Sequence, residues 1–267
     1  MKTVVYITKK RIWAGERVFD WDGVSMDEIF GRIKKELGVD EMRVVLGNDV
    51  SFVIAVKAND TFLTRESVLK LVKSWMPFEI DSECFDWKSV VLGYDEVWIQ
   101  IVALEKELLL GLSSAIRNNG IKVDLVTAIG VLLGEKTVGR EAPAVIRWSG
   151  KENLSVLAVN GLVDLVTADI SEDDLMIYAK QRCGLAVNPE EIVLREDEFN
   201  LLKNVFSEKT KGEDRMILNL PILKGLVIEG KQEAEMVIKV VKKRSWLWIY
   251  LLILLVAAAV GVVAGVW

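Results

Sequence analysis

Histidine is missing altogether from this 267-residue sequence. That removes imidazole acid–base catalysis and imidazole metal ligation from the chemistry open to the chain. Cysteine is nearly as scarce. Cys84 and Cys183 stand alone and form no C-x-x-C pair, so a disulfide has no particular support. An excess of basic charge is lacking too. Lys and Arg number 34 against 39 Asp and Glu, a net charge of −5. Apart from one stretch near the C-terminus, no basic run with interleaved aromatics stands out, so no nucleic-acid partner is expected. Neither G-x-x-x-x-G-K-[S/T] nor G-x-S-x-G occurs, which leaves no phosphate loop of the Walker kind and no serine elbow. Carboxylate or lysine chemistry stays open to an enzyme, but no catalytic residue, cofactor or metal ligand is assigned. The N-terminal MKTVVYITKK has no apolar core of its own, so no signal peptide is expected there. No repeat of 20–50 residues is visible.

What the chain does contain is an uncharged run from Trp246 to Trp267, WLWIYLLILLVAAAVGVVAGVW. As a helix it measures about 33 Å, against a bilayer core of about 30 Å. A buried helix of a soluble core rarely runs this far without a charge. Trp246, Trp248 and Tyr250 at one end and Trp267 at the other sit where interfacial aromatics belong. Lys239, Lys242, Lys243 and Arg244 flank the first end, and by the positive-inside rule that side is cytoplasmic. The expectation is a single-pass protein of the cytoplasmic (inner) membrane, with its N-terminal body in the cytoplasm.

Upstream of the span, the pattern is α/β. Short strands are expected at Val4–Thr8, Arg11–Ala14 and Glu16–Asp20, then a helix capped by Ser25 and stopped by Gly38. Strands Met42–Leu46 and Ser51–Val56 follow, joined by the turn Gly47-Asn48-Asp49. A helix from the cap Thr64 places Val68, Leu71, Val72 and Trp75 on one face and ends at Pro77. Strands Phe85–Leu92 and Glu96–Ala103, a helix Lys106–Asn118, a strand Lys122–Val126 and a short helix Thr127–Leu133 complete the first half. Gly134–Glu141 reads as a linker. Beyond it come strands Ala144–Trp148, Leu154–Val159 and Leu162–Ala168, with Asn160-Gly161 as a hairpin turn. Helices are expected from Ser171 to about Cys183 and over Asp197–Ser207. The polar stretch Ser207–Asp214 reads as a flexible linker, and an amphipathic run, Val227–Val241, leads to the span.

Meander, helix, strands, helix and a second meander form the layout of the actin-like, or ribonuclease H-like, fold. Within it, RESVLKLVKSWMPFEIDSECFDW and the phrase from Glu96 to Glu135 resemble the type IV pilus platform protein PilM and its type II secretion relative GspL. Met76-Pro77-Phe78 is among the most specific pieces, and the resemblance is weaker over 1–60 and 142–206. It implies a two-lobed body: a first lobe at 1–134 with an inserted PilM-like subdomain and a reduced second lobe at 142–206. A linker and juxtamembrane segment at 207–245 and the transmembrane helix at 246–267 follow.

Nucleotide-binding actin-like proteins carry an Asp-x-Gly step in each meander, and the turn amides there cradle phosphates. The corresponding positions here are Thr8, Lys9 and Lys10 in the first turn and Arg147, Ser149 and Gly150 in the second, with Trp148 beside them. Arginine can pair with phosphate but cannot hold magnesium, so the resemblance implies a scaffold without ATP hydrolysis. Met216–Pro221 (MILNLP) also resembles the start of the PilM partner PilN. Asn219, Leu220 and Pro221 are therefore expected to dock in a groove of an actin-like body, in cis or on a neighbour, and a tether would raise the effective concentration of such a peptide. The implied partners are PilN-like or other platform proteins, pilus or secretion ATPase components, the membrane and a second copy of the chain. The rival readings are an FtsA-like ATP-binding membrane protein and a membrane-tethered enzyme. The FtsA-type targeting helix is amphipathic and lies on the surface, unlike the uncharged run here.

Overall fold

The computed structural model describes residues 2–195, apart from 22–24, 59–62, 93–95, 141, 169 and 184–188. The first meander is β1 (Lys2–Ile7), β2 (Arg11–Ala14) and β3 (Arg17–Asp20), paired antiparallel in sequence order. Helix α1 (Met26–Leu37) then crosses to β4 (Glu41–Leu46), which lies parallel to β1 with Val5 opposite Val44. The start and stop of α1 follow its sequence. Ser25 Oγ accepts from the Glu28 amide at 3.2 Å, Asp27 and Glu28 occupy the first turn, and Gly38 closes the end at φ 62°. Ile29, Phe30 and Ile33 are fully buried, each contributing about 1.5–3 kcal/mol by leaving water.

The chain then leaves this sheet. β5 (Phe52–Lys57), α2 (Arg65–Val72), β6 (Phe85–Leu92) and β7 (Glu96–Ala103) form an antiparallel sheet of order β5-β7-β6 with its helix. Helix α3 (Lys106–Asn118) returns the chain beside α1, and β8 (Lys122–Ala128) joins β4 in parallel. The first sheet thus has the order β3-β2-β1-β4-β8. Arg43 on β4 and Asp124 on β8 pair across this contact at 3.0 Å.

After α4 (Ile129–Gly134) comes a second meander: β9 (Ala144–Ser149), β10 (Asn153–Val159) and β11 (Leu162–Thr167), antiparallel throughout. Asn160 and Gly161 turn the hairpin with φ of 46° and 83°, the paired positive values of a type I′ turn. Helix α5 (Glu172–Cys183) crosses to β12 (Glu190–Arg195), which lies parallel to β9. Val145, Leu157 and Leu175 form the core between this sheet and α5. The second sheet, β11-β10-β9-β12, repeats the meander–helix–parallel-strand order of the first.

Several expectations are corrected. β5 begins one residue later than expected, at Phe52, and the Gly47-Asn48-Asp49 turn sends β4 and β5 into different sheets. Helix α2 stops at Val72, well before Pro77, and tightens into a 3-10 turn at Lys73–Trp75. The tighter winding rotates Trp75 off the buried face, and it is 48% exposed while Val68 and Val72 are buried. Thr127 belongs to β8, so the short helix starts later, at Ile129. The stretch 134–141 begins as packed structure and not as a linker. A 3-10 turn covers Glu135–Thr137, and Thr137 is fully buried, its hydroxyl donating to Gly134 O and accepting from Gly161 N. β12 was not expected at all. Among the described residues no helix is long and apolar enough to cross a membrane. The helix expected over Asp197–Ser207, the 207–214 linker, the peptide with Asn219, Leu220 and Pro221, and the span with Trp246, Trp248, Tyr250 and Trp267 lie outside the described residues.

Candidate functional site: the cleft between the two meander turns

The β1–β2 turn and the β9–β10 turn face the same cleft. Its residues include Thr8, Lys10, Arg11, Asp49, Lys151 and Glu152, around a cavity of about 590 Å³. Trp13 also lines it. Tyr6 stands edge-on to Trp13 at 5.6 Å and to Trp148 at 6.3 Å. Trp148 lies against the second turn so closely that a Cβ on Gly150 would meet its indole at 2.2 Å. Glycine at 150 is therefore needed for this close approach.

Several amides of the turns have partners within the protein. The Thr8 amide donates to Arg11 O at 2.9 Å, and the Thr8 hydroxyl exchanges hydrogen bonds with the Arg11 backbone. The Lys9 amide donates to Asp49 Oδ2 at 2.9 Å, and the Gly150 amide to Glu152 O at 3.0 Å. Asp49 sits on the β4–β5 turn, so a carboxylate of the protein itself holds the first-turn amide that a bound anion would use.

Glu152 reaches from the second turn into the first lobe. Its Oε2 accepts from the Asn48 amide at 3.2 Å and from the phenol of Tyr6. Gly47 makes room, since a Cβ there would stand 2.6 Å from the same oxygen. Burial holds the Tyr6 phenol far above its ordinary pKa, and the Glu152 charge adds to this. Burial likewise raises Glu152, with Asp49 adding to it, while the bonds from Tyr6 and Asn48 act the other way. The phenol stays a donor at neutral pH, and its hydrogen bond to Glu152 links the first meander to the second turn.

Of the phosphate-loop positions expected from sequence, Thr8, Lys9, Lys10, Ser149 and Gly150 fall on the two turns or at their ends. Arg147 does not join them. It lies within β9 on the face of Val145, and its Nε donates to Glu191 Oε1 on β12 at 2.6 Å. Strand alternation turns Trp148, not Arg147, toward the cleft. Sequence reasoning missed Tyr6, Asp49 and Glu152. Gly47 belongs to a turn, and it also admits a carboxylate packed onto it from the β9–β10 turn. Among the described residues no group of three Cys, Asp or Glu side chains is placed to hold a metal ion.

Two meanders, each continued by a helix and a parallel fourth strand, with their first turns facing one cleft, make this an actin-like α/β protein. No protein-family model matches the chain, and no curated protein matches it. Solved structures similar to it include the cytoplasmic domain of EpsL, an inner-membrane component of the type II secretion system of Vibrio cholerae. That match is 10% identical over 73% of this chain and 82% of the other, with a TM-score of 0.44. A PilM–PilN type IV pilus biogenesis complex matches at 15% identity over 68% and 62%, with a TM-score of 0.42. A Bacteroides thetaiotaomicron protein of actin-like ATPase fold and unknown function matches at 9% identity over 76% and 87%, also with a TM-score of 0.42.

Proposed function

We propose that this chain is a membrane-anchored cytoplasmic scaffold of a type IV pilus or type II secretion inner-membrane assembly platform, working by protein–protein binding and without ATP hydrolysis. The observation that carries this reading is the occupied cleft. Asp49 and Glu152 hold the backbone amides of Lys9 and Asn48, so a phosphate would have to displace carboxylates of its own charge sign. A fold whose own carboxylates hold amides at its cleft retains its surfaces for partners. The PilM- and GspL-like phrases at 64–134 give the partner class, namely PilN-like and other platform proteins. The uncharged run at 246–267 with its Lys239–Arg244 flank gives the anchor.

Cross-linking of the full-length chain in its native membrane, followed by identification of the captured proteins, tests the role. Recovery of pilus or secretion platform components and their ATPase is the expected result. Recovery of cell-division and cell-wall proteins in their place would move the chain to an FtsA-like role. Protease added to intact spheroplasts checks the topology, and cleavage within 1–195 from outside would overturn it.

A further inference from the structure

The β9–β10 turn is short. Gly150, Lys151 and Glu152 join Ser149, the end of β9, to Asn153, the start of β10, and those two residues pair with each other. Within the turn the Gly150 amide donates to Glu152 O at 3.0 Å. Gly150 and Glu152 are thereby tied, and one cannot shift far without the other.

Both residues also touch something outside the turn. Glu152 Oε2 accepts from the Tyr6 phenol and from the Asn48 amide. Gly150 lies on the indole of Trp148, where a Cβ would stand 2.8 Å from Nε1. Trp148 is 2% exposed, and among the described residues its Nε1 is a buried donor without a hydrogen-bond partner. A buried N–H without an acceptor is costly and calls for a physical reason. The reason here is the reach of Glu152. With its carboxylate drawn across to Asn48 and Tyr6, Gly150 is held down over the indole and water is shut away from Nε1. The bond across the cleft and the unpartnered N–H belong to one position of the turn.

We propose that this turn is a two-position latch across the cleft, shut when Glu152 carries a proton and open when it is ionised. In the open position Glu152 turns to solvent, Gly150 lifts from the indole and water reaches Trp148 Nε1. The pairing of Ser149 with Asn153 holds the two strands together in both positions. The groups around the carboxyl set the trigger. Asp49, on the β4–β5 turn, faces it with a like charge. Lys10 and Arg11 from the β1–β2 turn, Asp20 from β3 and Lys151 beside it line the same cavity, and Arg11 is paired with Asp20. Tyr6, on β1, keeps its proton and donates throughout. In the shut position burial, reinforced by Asp49, favours the protonated carboxyl, against the bonds from Tyr6 and Asn48. In solvent that penalty is gone, so ionisation favours the open position. Access to the cleft thereby follows the protonation of one carboxyl group. The inference rests on the geometry of the cleft and is independent of the scaffold reading.

NMR of the full-length chain in detergent micelles, isotope-labelled at the indole nitrogens, tests it. The Trp148 signal is the one lost in Trp148→Phe. Its exchange with water is followed from about pH 5 to about pH 8 and divided by the rate in Glu152→Gln at the same pH, which cancels the base catalysis common to both. The ratio should be near one at the acid end and rise about tenfold or more by the alkaline end. Asp49→Asn removes the like charge and should shrink that rise. Backbone amides of β9 and β10 should keep their protection throughout, which separates a moving turn from unfolding. A ratio that stays near one, or a rise that Asp49→Asn leaves intact, would overturn the latch. So would a rise matched by faster exchange throughout β9 and β10, or an indole N–H that already exchanges freely at the acid end.

Discussion

Tyr6 and Glu152, 146 residues apart in the chain, share a hydrogen bond across the cleft between the two meanders. The phenol is almost fully buried, and the carboxylate accepts from the Asn48 amide with the same oxygen. Tyr6→Phe keeps the ring and its edge contacts with Trp13 and Trp148 but removes the donor. The half-buried carboxylate then keeps one partner fewer, a loss of about 1–3 kcal/mol, or a fall in Tm of several degrees. Thermal unfolding at neutral pH measures it, and an unchanged Tm would show that the bond contributes nothing.

The same carboxylate predicts a pH dependence. Burial raises the Glu152 pKa in the folded state, so the folded protein binds this proton more tightly than the unfolded chain does. The stabilising contribution is complete below the ordinary glutamate range and fades as pH rises through the raised value. Glu152→Gln keeps an oxygen for Tyr6 and Asn48 and removes the charge. Relative to the parent, it should gain stability as pH climbs from about 4 to 7. Parallel melting curves over that window decide the sign, and a relative loss with rising pH would contradict the raised pKa.

Nucleotide meets an occupied site. The Lys9 amide is held by Asp49 and the Gly150 amide by Glu152 O, and Arg147 is engaged with Glu191. Titration calorimetry of the full-length chain with Mg-ATP should show no dissociation constant as tight as about 1 μM, which corresponds to about −8 kcal/mol. An Asp49→Ala variant frees one amide and tests whether that carboxylate is the obstacle. Tight binding by the parent protein would remove the main support for a scaffold without ATPase activity.

What could be read from sequence follows physical range. Ser25, Gly38, Thr64 and Asn160-Gly161 act on backbone within a few residues, and the structure uses each as a cap or turn. The order of meander and helix is equally local, so the order of elements up to α5 was visible. Sheet membership was not: nothing within Gly47-Asn48-Asp49 says that β4 and β5 part company. β12 was invisible because Pro189-Glu190-Glu191 reads as a polar loop, and it is the parallel pairing with β9 that makes it a strand. The site divided the same way. The turns were found by their place in the meanders, but the contacts of Asp49 with Lys9 and of Glu152 with Tyr6 depend on folding across the chain. Arg147 was misassigned because a strand's alternation decides which of two neighbours enters a cleft.

A smaller charge cluster holds the turn before β6. Asp81 accepts from Lys106 Nζ at 2.7 Å and from Cys84 Sγ at 3.1 Å. Chiefly the bond from Lys106 lowers the Asp81 pKa from 3.8 to about 2. Its stabilising contribution is present above the ordinary aspartate value and lost as pH falls toward about 2. Lys106→Met should move the Asp81 titration back up by an amount readable in carboxyl NMR shifts. Lys106 and Asp81 are 57% and 41% exposed, so solvent screening should leave stability at neutral pH nearly unchanged. An unmoved Asp81 titration would refute the assignment.

The largest single effect is expected at Gln100. It lies on β7 and is only 4% exposed. Its side chain spans the join between the β5-β7-β6 sheet and the second meander. Nε2 donates to Ile54 O at 3.0 Å and to Val163 O at 3.1 Å, and Oε1 accepts from the Val163 amide at 2.5 Å. The amide can be oriented only this way, because the Val163 N–H needs an acceptor and the two carbonyls need donors. Three backbone groups of β5 and β11 thus bond to one buried side chain. Gln100→Leu fills the same space and leaves all three without it. Each buried unsatisfied group costs about 1–3 kcal/mol, so a loss of about 3 kcal/mol or more is expected by denaturant unfolding. Gln100→Glu separates hydrogen bonding from packing. It still accepts from Val163 but turns an acceptor toward Ile54 O and Val163 O, and it buries a charge. It should therefore destabilise at least as much as leucine at neutral pH and recover as the pH is lowered enough to protonate it. A leucine variant within about 1 kcal/mol of the parent would mean that water takes over the three contacts, and the bridge would then hold no stability of its own.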